Sequence, residues 1–234
     1  MKNFTEINFV SQNLDRYYIR TSIFNALKLA LPKFKGKLLD IGCGKMPYKN
    51  YILENSTVDK YVGLDIENAL VYDKDIKPDF VWDGRTMPFQ DNSYDCAFGT
   101  EVLEHCPEPE IILKELYRVL KSDGIFFFTV PFLWCLHEVP YDEYRYTPFS
   151  LRRHLENSGF KDIEIHTEQV GFYLSEAQSA WQGNSNSACG HQVFQLSPEK
   201  LAQVKAEYLA ELEALATDKG IWNDATAFLV IARK

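Results

Sequence analysis

Four short stretches of this sequence carry residue types spaced as a ligand cradle requires. Asp40-Ile41-Gly42-Cys43-Gly44 passes from an apolar run straight into a glycine turn. Glycines at 42 and 44 permit a sharp reversal and let a ligand lie against bare backbone. The fingerprint for a dinucleotide pyrophosphate, G-x-G-x-x-G, asks for a third glycine where this sequence has Pro47. Asp40, two residues before the first glycine, would repel a diphosphate and suits a ligand bearing an ammonium or sulfonium group. Asp65 stands at the end of a second apolar run, where a carboxylate can accept hydrogen bonds from both hydroxyls of a ribose. Asp83, in Trp82-Asp83-Gly84, can accept from an adenine amine, and Gly99-Thr100-Glu101 ends a further apolar run.

A second kind of chemistry is concentrated in residues 131–148, which are dense in aromatic and titratable side chains. His137 is the best general-base candidate, with an unperturbed pKa near ~6.5, and Asp142 can orient it. The plainer alternative is that both only hold the loop. Arg145 suits pairing with a carboxylate or an anionic substrate, and Trp134 and Tyr144 can line an acceptor site, though Tyr144 and Tyr146 can equally be packing residues. His105 reads first as a packed or capping histidine. The cysteines at 43, 96, 106, 135 and 189 are odd in number, form no CxxC and have no metal-ligand spacing. They read as free thiols in a reducing cytoplasm, and no metal site is expected.

These residues need a scaffold, and the pattern supplies one. Apolar positions 14, 17, 18, 24, 27 and 31 follow a helical period that Pro32 ends. Strands are expected at 37–41, 61–65, 79–82, 94–99 and 125–130, with amphipathic helices between them, one opening at Pro107, and a turn at Ser122-Asp123-Gly124. A helix over 149–157, a strand over 160–166 and a last strand over 225–232 follow. Apolar strands alternating with helices mean a mostly parallel sheet covered on both faces, and ligands of such sheets sit at the carboxyl ends of the strands. The expected organisation is one domain: an N-terminal helix (12–32), a core (37–167), an insertion (168–222) and a final strand (224–233). In the insertion, Ser197 and Pro198 start a helix running to about residue 216, and 183–190 is a polar loop. The insertion is expected to cap the site with Phe172, Tyr173 and Trp181, or else to form a homodimer contact.

The segments LLDIGCG, YVGLDIE, WDGRTMPF, YDCAFGTEVLEH and GIFFFTVPF, in this order, resemble the ordered motifs of class I methyltransferases, especially the type-11 group. The resemblance implies a Rossmann-like seven-stranded, mostly parallel sheet whose last strand is antiparallel. It implies S-adenosylmethionine as cofactor, with the methionine part at Asp40, Gly42 and Gly44, the ribose at Asp65 and the adenine at Asp83. Ile66, Gly84, Thr100 and Glu101 complete the expected cofactor set. Residues 137–147 also resemble the His-x-x-Pro-x-Asp-x-x-Arg-x-Thr stretch of type-11 enzymes linked to cell-surface polysaccharides.

Composition narrows the partner. The formal net charge is −8 and no basic block occurs, which argues against a grip on nucleic acid. No signal peptide and no apolar run of membrane-spanning length is present, so a cytoplasmic protein is expected. There is no Asn-Pro-Pro-Tyr after the fourth strand, against amino-group methylation of adenine or glutamine by that motif. The leading expectation is an O-methyltransferase of a small molecule or saccharide. The alternatives are an N- or C-methyltransferase, a nicotinamide-dependent reductase, which Asp40 and Pro47 oppose, or a non-catalytic nucleotide-binding protein of the same fold.

Overall fold

The computed structural model describes residues 2–9, 14–67, 75–168, 171–185 and 191–234. Its strands are β1 (Lys35–Ile41), β2 (Thr57–Ile66), β3 (Phe80–Trp82), β4 (Tyr94–Thr100), β5 (Leu120–Pro131), β6 (Lys161–Glu168), β7 (Gly171–Leu174), β8 (Ile221–Asp224) and β9 (Ala227–Arg233). The α-helices are α1 (Lys2–Thr5), α2 (Leu14–Ala30), α3 (Lys49–Asn55), α4 (Pro109–Val119), α5 (Pro148–Asn157), α6 (Ala177–Ser185) and α7 (Pro198–Ala214).

Seven strands form one sheet in the order β3-β2-β1-β4-β5-β9-β6. The pairs from β3 through β5 are parallel, whereas β9 runs antiparallel to both β5 and β6. Alternation along the strands divides the core between the two faces. Leu39, Ile41, Leu64, Ala97, Phe126, Phe128 and Val130 face α4 and α5, while Leu38, Cys96, Phe98, Ile125 and Phe127 face α2 and α3. The facing helices supply buried residues at helical spacing: Ile112, Leu113, Leu116 and Val119 from α4, and Ile23, Ala26, Leu27 and Ala30 from α2. α5 begins with a reciprocal cap, in which Thr147 Oγ1 accepts from Ser150 N at 3.2 Å and Ser150 Oγ accepts from Thr147 N at 2.9 Å.

The sheet carries the expected topology with several local differences. Residues 122–124 do not form a free turn. They lie within β5, whose register with β4 shifts between Tyr94 and Cys96, with Asp123 at φ +62°. The irregularity satisfies the turn chemistry of Asp123-Gly124 without ending the strand. The helix after the glycine turn is only seven residues long. β7 and β8 form a small antiparallel ribbon that the sequence reading did not contain. Ribbon, α6 and α7 share a third apolar cluster of Phe172, Leu174, Ala177, Ala180 and Ile221, onto which Tyr18 of α2 packs. Tyr18 and Phe172 stack with ring centroids 5.0 Å apart. α7 begins at Ser197, whose hydroxyl accepts from Lys200 N at 3.3 Å, and has no buried residue. Residues 186–190 of the expected polar loop, including Cys189, lie outside the described residues.

Cys135 differs from expectation: it is disulfide-bonded, whereas Cys43, Cys96 and Cys106 are free. Pairing depends on spatial approach, which cysteine spacing along the chain does not reveal. Among the described residues no helix is long and apolar enough to cross a membrane.

Candidate functional site

The carboxyl ends of β1, β2, β3 and β4 bring the first group of expected residues together. Gly42 and Gly44 turn the chain with φ of +59° and +45°. A Cβ on Gly42 would lie 2.7 Å from Val102 Cγ2, so position 42 demands glycine by both conformation and space. Asp65 ties this turn to β2. Its Oδ2 accepts from Gly44 N at 2.9 Å and its Oδ1 from Ile66 N at 2.9 Å. Partial burial raises the pKa of Asp65, and those two backbone donors oppose the rise.

Asp40 is 3% exposed at the head of the turn. Burial pushes its pKa up to about 8, with the Tyr61 hydroxyl and Lys49 opposing and Asp65 adding to the rise. Tyr61 donates its hydroxyl to Asp40 Oδ2. A buried acid held this high gains from a neighbouring positive group, which is the property a ligand bearing ammonium and sulfonium supplies. This environment fits S-adenosylmethionine and does not fit a pyrophosphate.

Asp83 is exposed and holds its own turn, with Oδ1 accepting from Arg85 N at 2.8 Å and Thr86 N at 3.0 Å. These donors keep its carboxyl below the usual range. Gly84 follows at φ +80°, and a Cβ there would meet only Ile66 Cδ1, at 3.4 Å. Ile66 is 48% exposed, an apolar surface next to Gly84 against which a flat ring can lie. Thr100 is half-buried at the end of β4, in register with Thr129 of β5. Glu101 follows at φ +54°, and its Oε1 accepts from Thr129 Oγ1 at 2.7 Å. Burial raises the pKa of Glu101.

The loop after β5 folds onto the end of β4. Glu104 O accepts from Glu143 N at 2.9 Å and Tyr144 N at 3.0 Å, and Tyr146 donates its hydroxyl to Leu103 O at 2.9 Å. Arg145 braces the loop from within. Its guanidinium reaches Asp142 Oδ1 at 2.6 Å and Oδ2 at 2.8 Å, together with the carbonyls of Trp134, Cys135 and Tyr144. Tyr144 donates to Pro107 O at 3.0 Å and stacks on Tyr146. The hydrogen bonds of Arg145 and Tyr144 among the described residues thus run to the protein itself. Trp134 is half-buried.

His137 lies beside this brace. Its backbone N–H donates to Asp142 Oδ2 at 3.0 Å, and its Nδ1 lies 3.3 Å from the same oxygen. Burial lowers the pKa of His137, with Asp142 opposing and His105 assisting, so the ring is neutral near pH 7. The His105 and His137 rings meet edge to face, 4.8 Å between centroids. Sequence reasoning did not single out Tyr61, Thr129 or Glu104. The tyrosine and threonine read as ordinary strand residues, and nothing in the spacing marks Glu104 as buried.

Comparisons with known proteins agree with this geometry. Residues 39–128 match the family model described as Methyltransferase domain, of the type-11 group. The sterol 24-C-methyltransferase erg6 of Aspergillus fumigatus is 34% identical over 104 residues, covering 38% of this chain and 26% of that protein. The cycloartenol-C-24-methyltransferase of Arabidopsis thaliana is 27% identical over 169 residues, covering 64% of this chain and 48% of that protein. The chain therefore spans less than half the length of these two curated relatives. In fold, it is similar to a SAM dependent methyltransferase from Archaeoglobus fulgidus, with a TM-score of 0.55, 18% identity and coverage of 100% of this chain and 97% of that one. Residues 39–128 thus match the type-11 methyltransferase domain, and the chain has the fold seen in the S-adenosylmethionine-dependent methyltransferase of Archaeoglobus fulgidus.

Proposed function

We propose that this protein transfers a methyl group from S-adenosylmethionine to a hydroxyl of a small molecule or saccharide. The observation that carries the cofactor half is Asp40, a buried carboxylate in need of a cationic neighbour, at the head of a glycine turn that Asp65 pins. In this reading Asp40, Gly42 and Gly44 receive the methionine part, Asp65 the ribose, and Asp83, Gly84 and Ile66 the adenine, with Thr100 and Glu101 closing the floor. When bound, the cofactor supplies an electrophilic methyl on a sulfonium.

The chain's own residues then have two tasks, to align the acceptor with that methyl and to remove its proton. The neutral ring of His137 is the group placed to take a proton, and Asp142 with Arg145 fixes its position. Trp134 and Tyr144 offer aromatic surface to the acceptor. The exposed side chains of Leu133, Leu136, Val139 and Tyr141 on the same loop favour an acceptor with an apolar portion. That apolar rim, with the sterol methyltransferases among the relatives, also favours a second reading, methylation at carbon. The insertion with α2 caps the acceptor side, as a lid on one domain. The alternative role, a homodimer contact, draws support from α7, which has no buried residue.

Isothermal titration with S-adenosylhomocysteine tests the cofactor assignment; saturable binding is expected, and binding of NAD in its place would overturn it. A methyl-transfer screen over sugars, phenols, sterols and amines tests the acceptor. Methylated oxygen is the expected product, and methylated carbon would establish the second reading.

A further inference from the structure

Glu104 and His105, neither of which the methyl-transfer reading uses, form a cluster with His137. Glu104 is 0% exposed, and neither of its carboxylate oxygens has a hydrogen-bond partner. A buried carboxylate left this way is costly, since each oxygen forfeits its hydration without compensation. His105 Nε2 is 3.7 Å from Glu104 Oε1, beyond hydrogen-bond reach. One oxygen of Glu104, one ring nitrogen of His105 and one of His137 all lie within 4.8 Å of one another.

The outward sides of both rings are already engaged. His105 Nδ1 lies 3.0 Å from Tyr141 O, and His137 Nδ1 lies 3.3 Å from Asp142 Oδ2 and 3.3 Å from Cys135 O. Histidines that ligate a metal through one nitrogen hold the other against a carbonyl or carboxylate in this way, which fixes the tautomer and aims the free nitrogen. Here both Nδ1 atoms are held, that of His137 also lying 3.4 Å from the Arg145 guanidinium, and the Nε2 of His105 faces the buried carboxylate. Glu138 Oε2, 3.8 Å from His105 Nε2, is a further oxygen at the rim.

We infer that Glu104, His105 and His137 bind one divalent transition-metal ion of the Zn2+ or Fe2+ class through a carboxylate oxygen and two imidazole nitrogens. Two imidazoles and one carboxylate select borderline cations over Mg2+ or Ca2+, which prefer all-oxygen shells. Three protein ligands leave a coordination position open. That position adjoins the loop assigned above to the acceptor. If the methyl-transfer reading holds, the ion would lower the pKa of a coordinated hydroxyl, and His137 would serve as a ligand instead of a free base. Metal binding itself does not rest on that reading.

The test uses protein stripped with EDTA and dialysed, without cofactor or acceptor. Zn2+ titrated by calorimetry, and Co2+ followed by its visible absorption, should each bind with one-to-one stoichiometry. His105→Ala and His137→Ala should each weaken Zn2+ binding at least tenfold and remove the Co2+ bands, with an unchanged far-ultraviolet circular dichroism spectrum. Glu104→Gln should do the same, and the histidine variants decide the matter if that variant does not fold. His166→Gln, at an exposed histidine paired with Glu164, should leave binding unchanged. Absence of one-to-one binding, or binding that survives both His105→Ala and His137→Ala, would overturn the site, as would loss only in His166→Gln. S-adenosylhomocysteine titrated into the same stripped protein reports on the methyltransferase assignment separately, so either conclusion can fail alone.

Discussion

Both oxygens of Asp65 accept backbone hydrogen bonds, one from Gly44 and one from Ile66. Asp65→Ala therefore removes the pin on the glycine turn along with the proposed ribose acceptor. Charge-assisted hydrogen bonds contribute about 1.5–3 kcal/mol, so S-adenosylhomocysteine affinity should fall roughly tenfold to a hundredfold by calorimetry. An unchanged dissociation constant would remove Asp65 from the site. Asp40 makes a prediction in pH. Its folded pKa, about 8, stands above the unfolded value of 3.8, so the folded state holds the proton more tightly. That contribution to stability is complete below pH 3.8 and is lost as pH rises through about 8. Asp40→Asn cannot ionise. Urea midpoints measured from about pH 5 to pH 9 should fall for the wild type relative to the variant, and parallel curves would contradict the buried-acid assignment. The acidic and glycine positions of this site were legible in the sequence because turn chemistry and charge are local properties. Tyr61 and Glu104 were not, because their roles arise from burial. A tyrosine in an apolar strand and a glutamate before a histidine look ordinary until the sheet and the loop close over them.

At the scale of elements, Arg118 and Glu115 of α4 both bind the loop between β3 and β4. Arg118 donates to Glu115 Oε2 at 2.7 Å, Asp91 Oδ1 at 2.8 Å, Phe89 O at 2.8 Å and Met87 O at 3.1 Å. Glu115 in turn accepts from Met87 N at 2.7 Å. Arg118→Ala leaves Phe89 O without this donor and takes one donor each from Met87 O and the half-buried Glu115, which keep Phe89 N and Met87 N. The expected loss is about 2–3 kcal/mol in denaturant unfolding, and a loss within 0.5 kcal/mol would show that water replaces the guanidinium. The strands and helices of the sheet were readable from apolar periodicity, with bounds displaced by a few residues. The β7–β8 ribbon was not, since Phe172, Leu174 and Ile221 are too few to set a period and find their partners only across the fold. Asp123-Gly124 has the chemistry of a turn, but it falls in the irregular stretch between the paired Leu120 and Ile125, where backbone bonds with Lys234 hold it in the strand.

For the whole molecule, the third apolar cluster sits apart from the two that flank the sheet and reaches α2 through the Tyr18–Phe172 stack. If residues 171–222 form a lid, Phe172→Ala should loosen it without disturbing the cofactor cradle. Turnover should fall severalfold while S-adenosylhomocysteine affinity and sedimentation mass stay constant. A changed mass would identify a contact between copies instead, and no change in either would exclude both roles. Hydrogen exchange offers a companion measurement. Amides of β7, β8 and α7 should exchange well before those of β1, β4 and β5, because local opening follows the size of the core that must be disrupted.

The position of β9 has a consequence for how this chain is made. β6 touches the rest of the sheet through β9 alone, and β9 is synthesised some sixty residues later. While the ribosome is still adding residues 169–226, β5 and β6 each present an unsatisfied edge, and nothing yet made can fill the space between them. Those edges suit the strands of other nascent chains, which makes this the interval most exposed to aggregation. Removing residues 227–233 would restore the same condition permanently: the sheet would lose an internal strand, and β6 would be cut off from the other five.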